Sequence, residues 1–287
     1  MTDFKVGDEV GVGCFVNSCR NCDLCSADLE QHCPGGVQTY STPWPAGKGD
    51  NYKECEGNMT SGGYSENITV DEHFVFKVPE SISLEVVGPL LCAGITTFSP
   101  LNRYILQKGG GKGKRVGVVG LGGLGHMAIK LAKAMGCEVT VLSRSMAKAA
   151  VAKAMGADIL VHTDPEVLKA NARTFDLIID TVAIPHPVAD IVNTLKVGGH
   201  YTLLGAIPTP FELGAFPLLF NRYSVGGSLT GGMAETQQML DFCAEHGVVP
   251  ECKTIHAKEA SSYFVSMAKG EVGAIRAVID ISTIRDL

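Results

Sequence analysis

The chain lacks a basic block, a long unbroken apolar run and an apolar leader. With 24 Lys+Arg against 30 Asp+Glu in 287 residues, the formal net charge is −6. No electrostatic footprint of a nucleic-acid binder is present, so nucleic acid is not expected as a partner. Uncharged stretches are short or broken by Pro, Ser, Thr and Gly, so none reads as a membrane span. The start, Met1-Thr-Asp-Phe-Lys, has no apolar h-region, and the expectation is a cytoplasmic protein. Charged residues are 19% and hydrophobic residues 45%, too apolar for a disordered chain. At roughly 150 residues per domain, two domains are expected.

Glycine and cysteine are plentiful instead, at 34 and 10 residues. In a reducing compartment a cysteine cluster reads as a metal site before a disulfide framework. Cys19-x2-Cys22-x2-Cys25-x7-Cys33 is such a cluster. Thiolates at this spacing can close a tetrahedron around Zn²⁺, leaving no open position, so the site reads as structural. An iron–sulfur cluster is the rival, since three cysteines at this spacing and a Cys33-Pro34 pair suggest ferredoxins, although the last gap does not fit the common bacterial run. Cys14 reads as a buried small hydrophobe, and Cys55, Cys137, Cys243 and Cys252 have no partner pattern. The sequons at Asn58 and Asn67 read as chance matches.

Residues 4–13 suggest short strands with a tight turn, residues 14–63 suggest loops, and Ser65–Val70 and His73–Val78 suggest strands ended by Pro79. From Arg115 the pattern becomes βα. Strands are predicted at Val116–Val119, Glu138–Leu142, Ile159–Val161, Leu177–Asp180 and Tyr201–Leu204. Helices are predicted at Gly123–Met135, 146–155 and Val188–Leu195, so a parallel sheet covered on both faces is expected. In the tail, a helix from about Met233 and a strand at Ala277–Ile281 follow.

The strand at Val116 runs into Gly120-Leu121-Gly122-Gly123-Leu124-Gly125, and an amphipathic helix follows. Glycine at these positions permits a tight turn, approach of a pyrophosphate and close helix–strand packing, while helix amides face the phosphates. An NAD site wants an acid about 20 residues on. Here the second strand ends Ser143-Arg144-Ser145, with Lys148 a helical turn later. Arg, Lys and hydroxyls suit the 2′-phosphate of NADP(H), unless Arg144 and Lys148 are plain surface charges.

Several segments together resemble the zinc-dependent medium-chain alcohol dehydrogenases of the cinnamyl alcohol dehydrogenase-like, NADP-linked branch. They are the four-cysteine loop, Gly63-Tyr64-Ser65, Pro89-Leu-Leu-Cys92-Ala-Gly-Ile-Thr96, the glycine turn, Asp180-Thr181-Val182 and Gly231-Gly-Met233-Ala-Glu-Thr-Gln; Gly109–Lys114, a slightly lengthened turn, is a local departure from the family. The resemblance implies an α/β fold: a doubly wound Rossmann sheet plus a partial GroES-like β-barrel. It implies a catalytic-type domain over 1–87, an NADP-binding domain over 88–232 and a return to the first domain over 233–287. It implies structural zinc on Cys19, Cys22, Cys25 and Cys33, and Cys92 as one ligand of a catalytic zinc. It places Thr96, Thr181, Gly205, Leu229 and Thr230 along the cofactor, although strand-end geometry alone would suit Thr181 and Gly205. It also implies a small alcohol or aldehyde as substrate and a homodimer through an edge strand near Ser224–Leu229, unless that strand is internal.

In the family, a segment before the position of Phe4 supplies another zinc cysteine, a Gly-His-Glu motif and the proton relay. None of His32, His73, His126, His162, His186, His200, His246 and His256 stands in a Gly-His-Glu context. A lone Cys92 cannot hold catalytic zinc, which needs about three protein ligands and an open position. The expectation is a shortened form of an enzyme sequence. The alternatives are a catalytically silent NADP-binding zinc protein and an iron–sulfur electron carrier.

Overall fold

Short β-prone segments with few apolar residues cannot stand alone, because an isolated two-stranded ribbon is marginal in water. The computed structural model describes residues 4–44, 57–271 and 276–286, and shows how such segments are held. Six short strands come first: β1 (Val10–Val12), β2 (Phe15–Asn17), β3 (Val37–Gln38), β4 (Tyr40–Pro43), β5 (Met59–Ser61) and β6 (Val75–Lys77). They form antiparallel pairs β1–β6, β2–β3 and β4–β5. Fully buried Val37 and Phe74, with Phe76 nearly so, anchor them. Residues 14–63 therefore hold strands as well as loops, and helix α1 (Asp23–Ser26) besides. Ser65–Val70, expected as a strand, has none of the ladder pairing that would make it one.

Next comes a continuous helical run, α2 (Leu84–Pro89), a π-helical turn Leu90–Gly94 and α3 (Ile95–Tyr104). From Leu84 to Lys108 it is long and apolar enough, by length and composition, to cross a membrane. The sequence reading passed over it because Pro89 and Pro100 interrupt it, yet both prolines lie inside helices. In its most apolar window 61% is buried inside the protein, as in a core helix.

The chain then lays down β7 (Arg115–Val119), α4 (Gly123–Ala134), β8 (Glu138–Ser143), α5 (Ala149–Ala154), β9 (Asp158–Val161), α6 (Pro165–Ala170), β10 (Phe175–Asp180), α7 (Val188–Val192), β11 (Leu195–Leu203), α8 (Ala215–Asn221) and β12 (Ser224–Gly227). The six strands form one parallel sheet in the order β12-β11-β10-β7-β8-β9. This is the doubly wound dinucleotide-binding order, whose direction reverses between β7 and β10. Val116, Val118, Ile178 and Ile179 are fully buried, as expected of strands covered on both faces. Gly109, Gly110 and Gly113 take positive φ in the lengthened turn before β7. Within this run, helices α6 and α8 escaped the sequence reading. For α6 the signal was present: the Asp164 carboxylate caps the amides of Glu166 and Val167, with Pro165 in the first turn. For β11 the early start was hidden by Gly198, which takes φ +79° inside the strand.

Finally α9 (Met233–His246) leads to β13 (Cys252–His256), α10 (Ala260–Ala268) and β14 (Arg276–Asp280), with β13 and β14 parallel. The chain divides into two units, 1–95 with 230–287, and 96–229.

Candidate cofactor site and metal centre

At the switch point, β7 ends in a turn whose Gly120 has φ +86°, a conformation that favours glycine. A Cβ on Gly125 would lie 2.2 Å from the Gly120 carbonyl oxygen, so α4 starts tight against the turn. A Cβ on Gly122 would meet nothing within 4 Å. Gly122 is also the N-cap of α4 and offers no capping side chain, which leaves the first amides available. The open space over Gly122 fits a pyrophosphate at a helix N-terminus. Gly123, Leu124 and Gly125 form the first turn of that helix.

A cavity of about 270 Å³ opens here, and Gly120, Leu121, Gly122, Ser143, Arg144, Ser145 and Lys148 all line it. Among the described residues, its lining holds no carboxylate. The Lys148 ammonium donates to the Leu121 carbonyl at 2.8 Å, which pins the cation over the glycine turn. A ribose 2′-phosphate would therefore meet Arg144 and Lys148, with no acid to repel it. Thr181 stands at the end of β10 and donates its hydroxyl proton to the Val119 carbonyl at 2.8 Å. A Cβ on Gly205 would sit 2.2 Å from the Val182 carbonyl oxygen, so Gly205 packs against the loop after β10. Thr96 in α3, and Leu229 and Thr230 after β12, do not line this cavity.

Two polar cavity residues were not singled out by the sequence, His162 and His186. Both follow the carboxyl ends of strands, where ligands of parallel sheets sit, and that position was the available signal. Asp180 is fully buried and organises this corner. Its carboxylate accepts from the Tyr201 hydroxyl at 2.9 Å and the Val182 amide at 3.0 Å. His186 Nε2 lies 3.0 Å from Asp180 Oδ2, and His186 Nδ1 lies 2.8 Å from the Ile184 carbonyl oxygen. Burial alone would push the His186 pKa down, but these two acceptors outweigh it and raise it. His162 shifts the other way, because burial, helped by the charge of His186, disfavours its protonation.

The metal centre is built from the cysteine loop. Cys22 and Cys25 sulfurs lie 3.6 Å apart, while Cys22–Cys33 and Cys19–Cys25 are each 3.9 Å. All four sulfurs fall within 4.8 Å of one another. A tetrahedron with Zn–S bonds of ~2.3 Å has edges of about 3.8 Å, so the set fits one zinc ion. A polynuclear iron–sulfur cluster places several atoms between its thiolates and needs a wider set. The Cys19 and Gly35 amides point at Cys33 Sγ, at 3.4 and 3.3 Å. The Asn21 amide, with the Cys22 and Cys33 side chains, brings the Cys19 thiol down to about 6, so thiolate is available for a cation.

Cys92 lies on the π-helical turn, exposed while Leu90, Leu91, Ala93 and Gly94 are buried. Such turns recur at functional positions. Its neighbour is Cys14, which is half-buried and donates to the Leu91 carbonyl at 3.6 Å. Cys14 thus corrects the sequence reading: it is a hydrogen-bonding partner rather than inert packing. Interaction with the Cys14 side chain holds the Cys92 thiol at about 6, with help from the Arg276 charge. The same contact, with burial, pushes Cys14 up. Among the described residues the loop of Cys19, Cys22, Cys25 and Cys33 is the group of three or more ligands that could hold a metal. Those residues therefore do not make up a catalytic zinc site around Cys92.

Comparison with known proteins agrees with this geometry. The model of the alcohol dehydrogenase GroES-like domain matches residues 1–80, and that of the zinc-binding dehydrogenases matches residues 123–245. Vomilenine reductase of Rauvolfia serpentina is 48% identical over 97% of this chain and 74% of its own length. A cinnamyl alcohol dehydrogenase from Sorghum bicolor superposes with a TM-score of 0.89 at 41% identity, covering 98% of this chain and 77% of that one. CAD from Helicobacter pylori, complexed with NADP(H), gives a TM-score of 0.83 at 40% identity over the same shares, 98% and 77%. The chain belongs to the zinc-binding medium-chain alcohol dehydrogenases, oxidoreductases that interconvert alcohols and aldehydes, with cinnamyl alcohol dehydrogenase-like relatives.

Proposed function

We propose that this chain is the NADP(H)-linked form of that chemistry, acting on a primary alcohol and its aldehyde. The carrying observation is the cavity lined by Ser143, Arg144, Ser145 and Lys148 without a carboxylate. Bound there, the nicotinamide cofactor supplies or accepts the hydride. The chain's residues hold it: Arg144 and the flanking serines take the 2′-phosphate, the open backbone at Gly122 takes the pyrophosphate, and Lys148 adds charge above the turn. Cinnamaldehyde is the first substrate to try, because the sorghum and H. pylori neighbours support an aryl-allylic aldehyde. The test follows NADPH absorbance with and without cinnamaldehyde. Aldehyde-dependent decay with NADPH well above NADH is expected. NADPH binding without any decay would leave the hydride-transfer reading without support.

A second reading, a silent NADP-binding zinc protein, is favoured by one observation: the described residues do not complete a metal site at Cys92. Turnover that needs both added zinc and Cys92, lost in Cys92→Ala, would exclude it. We also propose a homodimer. Strand β12 stands at the edge of the sheet, and Phe216, Leu219 and Phe220 in the preceding helix are 73%, 73% and 79% exposed. An unpaired edge beside apolar surface favours pairing across a two-fold axis, which light scattering on the purified chain tests directly.

A further inference from the structure

We infer that His162 recognises the adenine of the cofactor, its buried imidazole accepting a hydrogen bond from the 6-amino group. The inference rests on the NADP(H) reading of the cavity and adds a specificity residue to it. His162 is the first residue after β9, and its amide donates to the Ser143 carbonyl at 2.9 Å. The neighbouring Thr163 hydroxyl donates to the Arg144 carbonyl at 3.2 Å. His162 is therefore tied to the segment that would hold the ribose 2′-phosphate. Adenine is carried on that same ribose, so a cavity residue beside the phosphate segment is placed to meet the base.

The side chain itself points to a ligand. His162 is only 3% exposed and lines the cavity, yet its Nδ1 has no hydrogen-bond partner among the described residues. A buried polar atom without a partner is uncommon in folded proteins and calls for an explanation, such as a ligand that satisfies it. The rest of this part of the lining, Leu142, Val182 and Ile184, is apolar and suits the faces of a flat ring. Burial, with the charges of His186 and Arg144, disfavours a further proton on His162 and outweighs Asp180, which favours one. A neutral imidazole keeps a lone pair on one ring nitrogen. Adenine offers an N–H donor at its 6-amino group, whereas hypoxanthine carries an oxygen acceptor at that position.

The test measures binding of NADPH and of its hypoxanthine analogue to the full chain by calorimetry. Wild type is expected to bind the analogue about tenfold more weakly, as a site that loses a hydrogen bond should. His162→Leu is expected to weaken NADPH by a similar factor and to bind both cofactors alike, while His162→Asn, which keeps an acceptor, retains part of the preference. Arg144→Ala is expected to lose the preference for NADPH over NADH and keep the one for adenine. Wild type binding both purines within twofold overturns the proposal, whatever the folding of the Leu variant. So does a His162→Leu protein that folds and keeps the full preference. If wild type binds no NADPH, the NADP(H) reading fails, a result distinct from loss of purine preference alone.

Discussion

The Asp28 carboxylate accepts hydrogen bonds from the amides of Ala234 at 2.7 Å and Glu235 at 2.8 Å, so the metal loop caps a helix that begins some 200 residues later in the chain. Glu30 adds to the clasp: its Oε2 accepts from the Met233 amide at 3.3 Å, and its Oε1 lies 3.3 Å from His73 Nε2. Gly232 is required at this junction, since a Cβ there would come within 2.0 Å of the Asp28 carbonyl oxygen. The cysteine loop thus does more than close on itself. It supplies the side-chain cap that α9, whose N-cap is a glycine, does not carry.

Asp28→Ala should therefore destabilise the chain by about 1–2 kcal/mol, the cost of losing a helix cap. The better discriminator is a double-mutant cycle with Cys25→Ser. If the metal holds Asp28 in place, the two losses in urea unfolding are less than additive. Strict additivity would mean that Asp28 keeps its cap without the metal.

Elemental analysis should find one zinc per chain, because the described residues gather one set of metal ligands. Cys33→Ser should lower that figure toward zero, and with it the melting temperature, since metal-binding energy at such a site is folding energy. Two zinc ions would mean that other groups complete a second site at Cys92.

The same residues show what a sequence can and cannot disclose. The parallel sheet was legible because its strands are buried on both faces and read as apolar runs such as Val116–Val119. The glycine turn and Ser143-Arg144-x3-Lys148 were legible because each position has a chemical reason. Of the N-terminal strands, β1 and β6 fall within segments that read as strands, but β2 to β5 did not show, because they are two to four residues long and rest on clamps distant in sequence, such as Asp28 on α9. β13 has the alternation of a strand in Cys252-Lys-Thr-Ile-His, but its partner lies beyond a helix. His162 and His186 were named only as ordinary histidines, since a lone histidine carries no local pattern. Cys55 falls outside the described residues.

The glycines of the turn separate stability from binding. Gly122→Ala should leave the melting temperature nearly unchanged, because the added Cβ meets nothing within 4 Å and the backbone φ is −107°. NADPH affinity should fall at least tenfold, as the methyl group enters the space meant for phosphate. Gly125→Ala should do the opposite in kind. Its Cβ would stand 2.2 Å from the Gly120 carbonyl oxygen, so unfolding should shift by a few kcal/mol, typical of an overpacked core. Equal effects of both variants on melting would contradict the assigned roles.

His200 gives the stability a pH dependence with a definite sign. Its ring stacks on Tyr104 with centroids 3.9 Å apart, and its Nδ1 lies 2.7 Å from the Ser224 hydroxyl oxygen. Burial, aided by the charge of Arg103, holds its pKa down to about 4 against an ordinary 6.5. Below pH 6.5 the unfolded chain takes up this proton and the folded chain does not. The His200 contribution is therefore fully present above pH 6.5, declines as pH falls and is gone below about 4. A depression of this size corresponds to roughly 3 kcal/mol across the window. Carboxylates titrate in the same range, so the informative quantity is the difference between wild type and His200→Gln, which can still bond Ser224 but does not titrate. Urea unfolding at pH 7.5 and 4.5 should show wild type losing more stability than the variant over that interval. Parallel pH profiles for the two proteins would mean that His200 is protonated in the fold as readily as in the unfolded chain, and that its burial against Tyr104 carries no proton linkage.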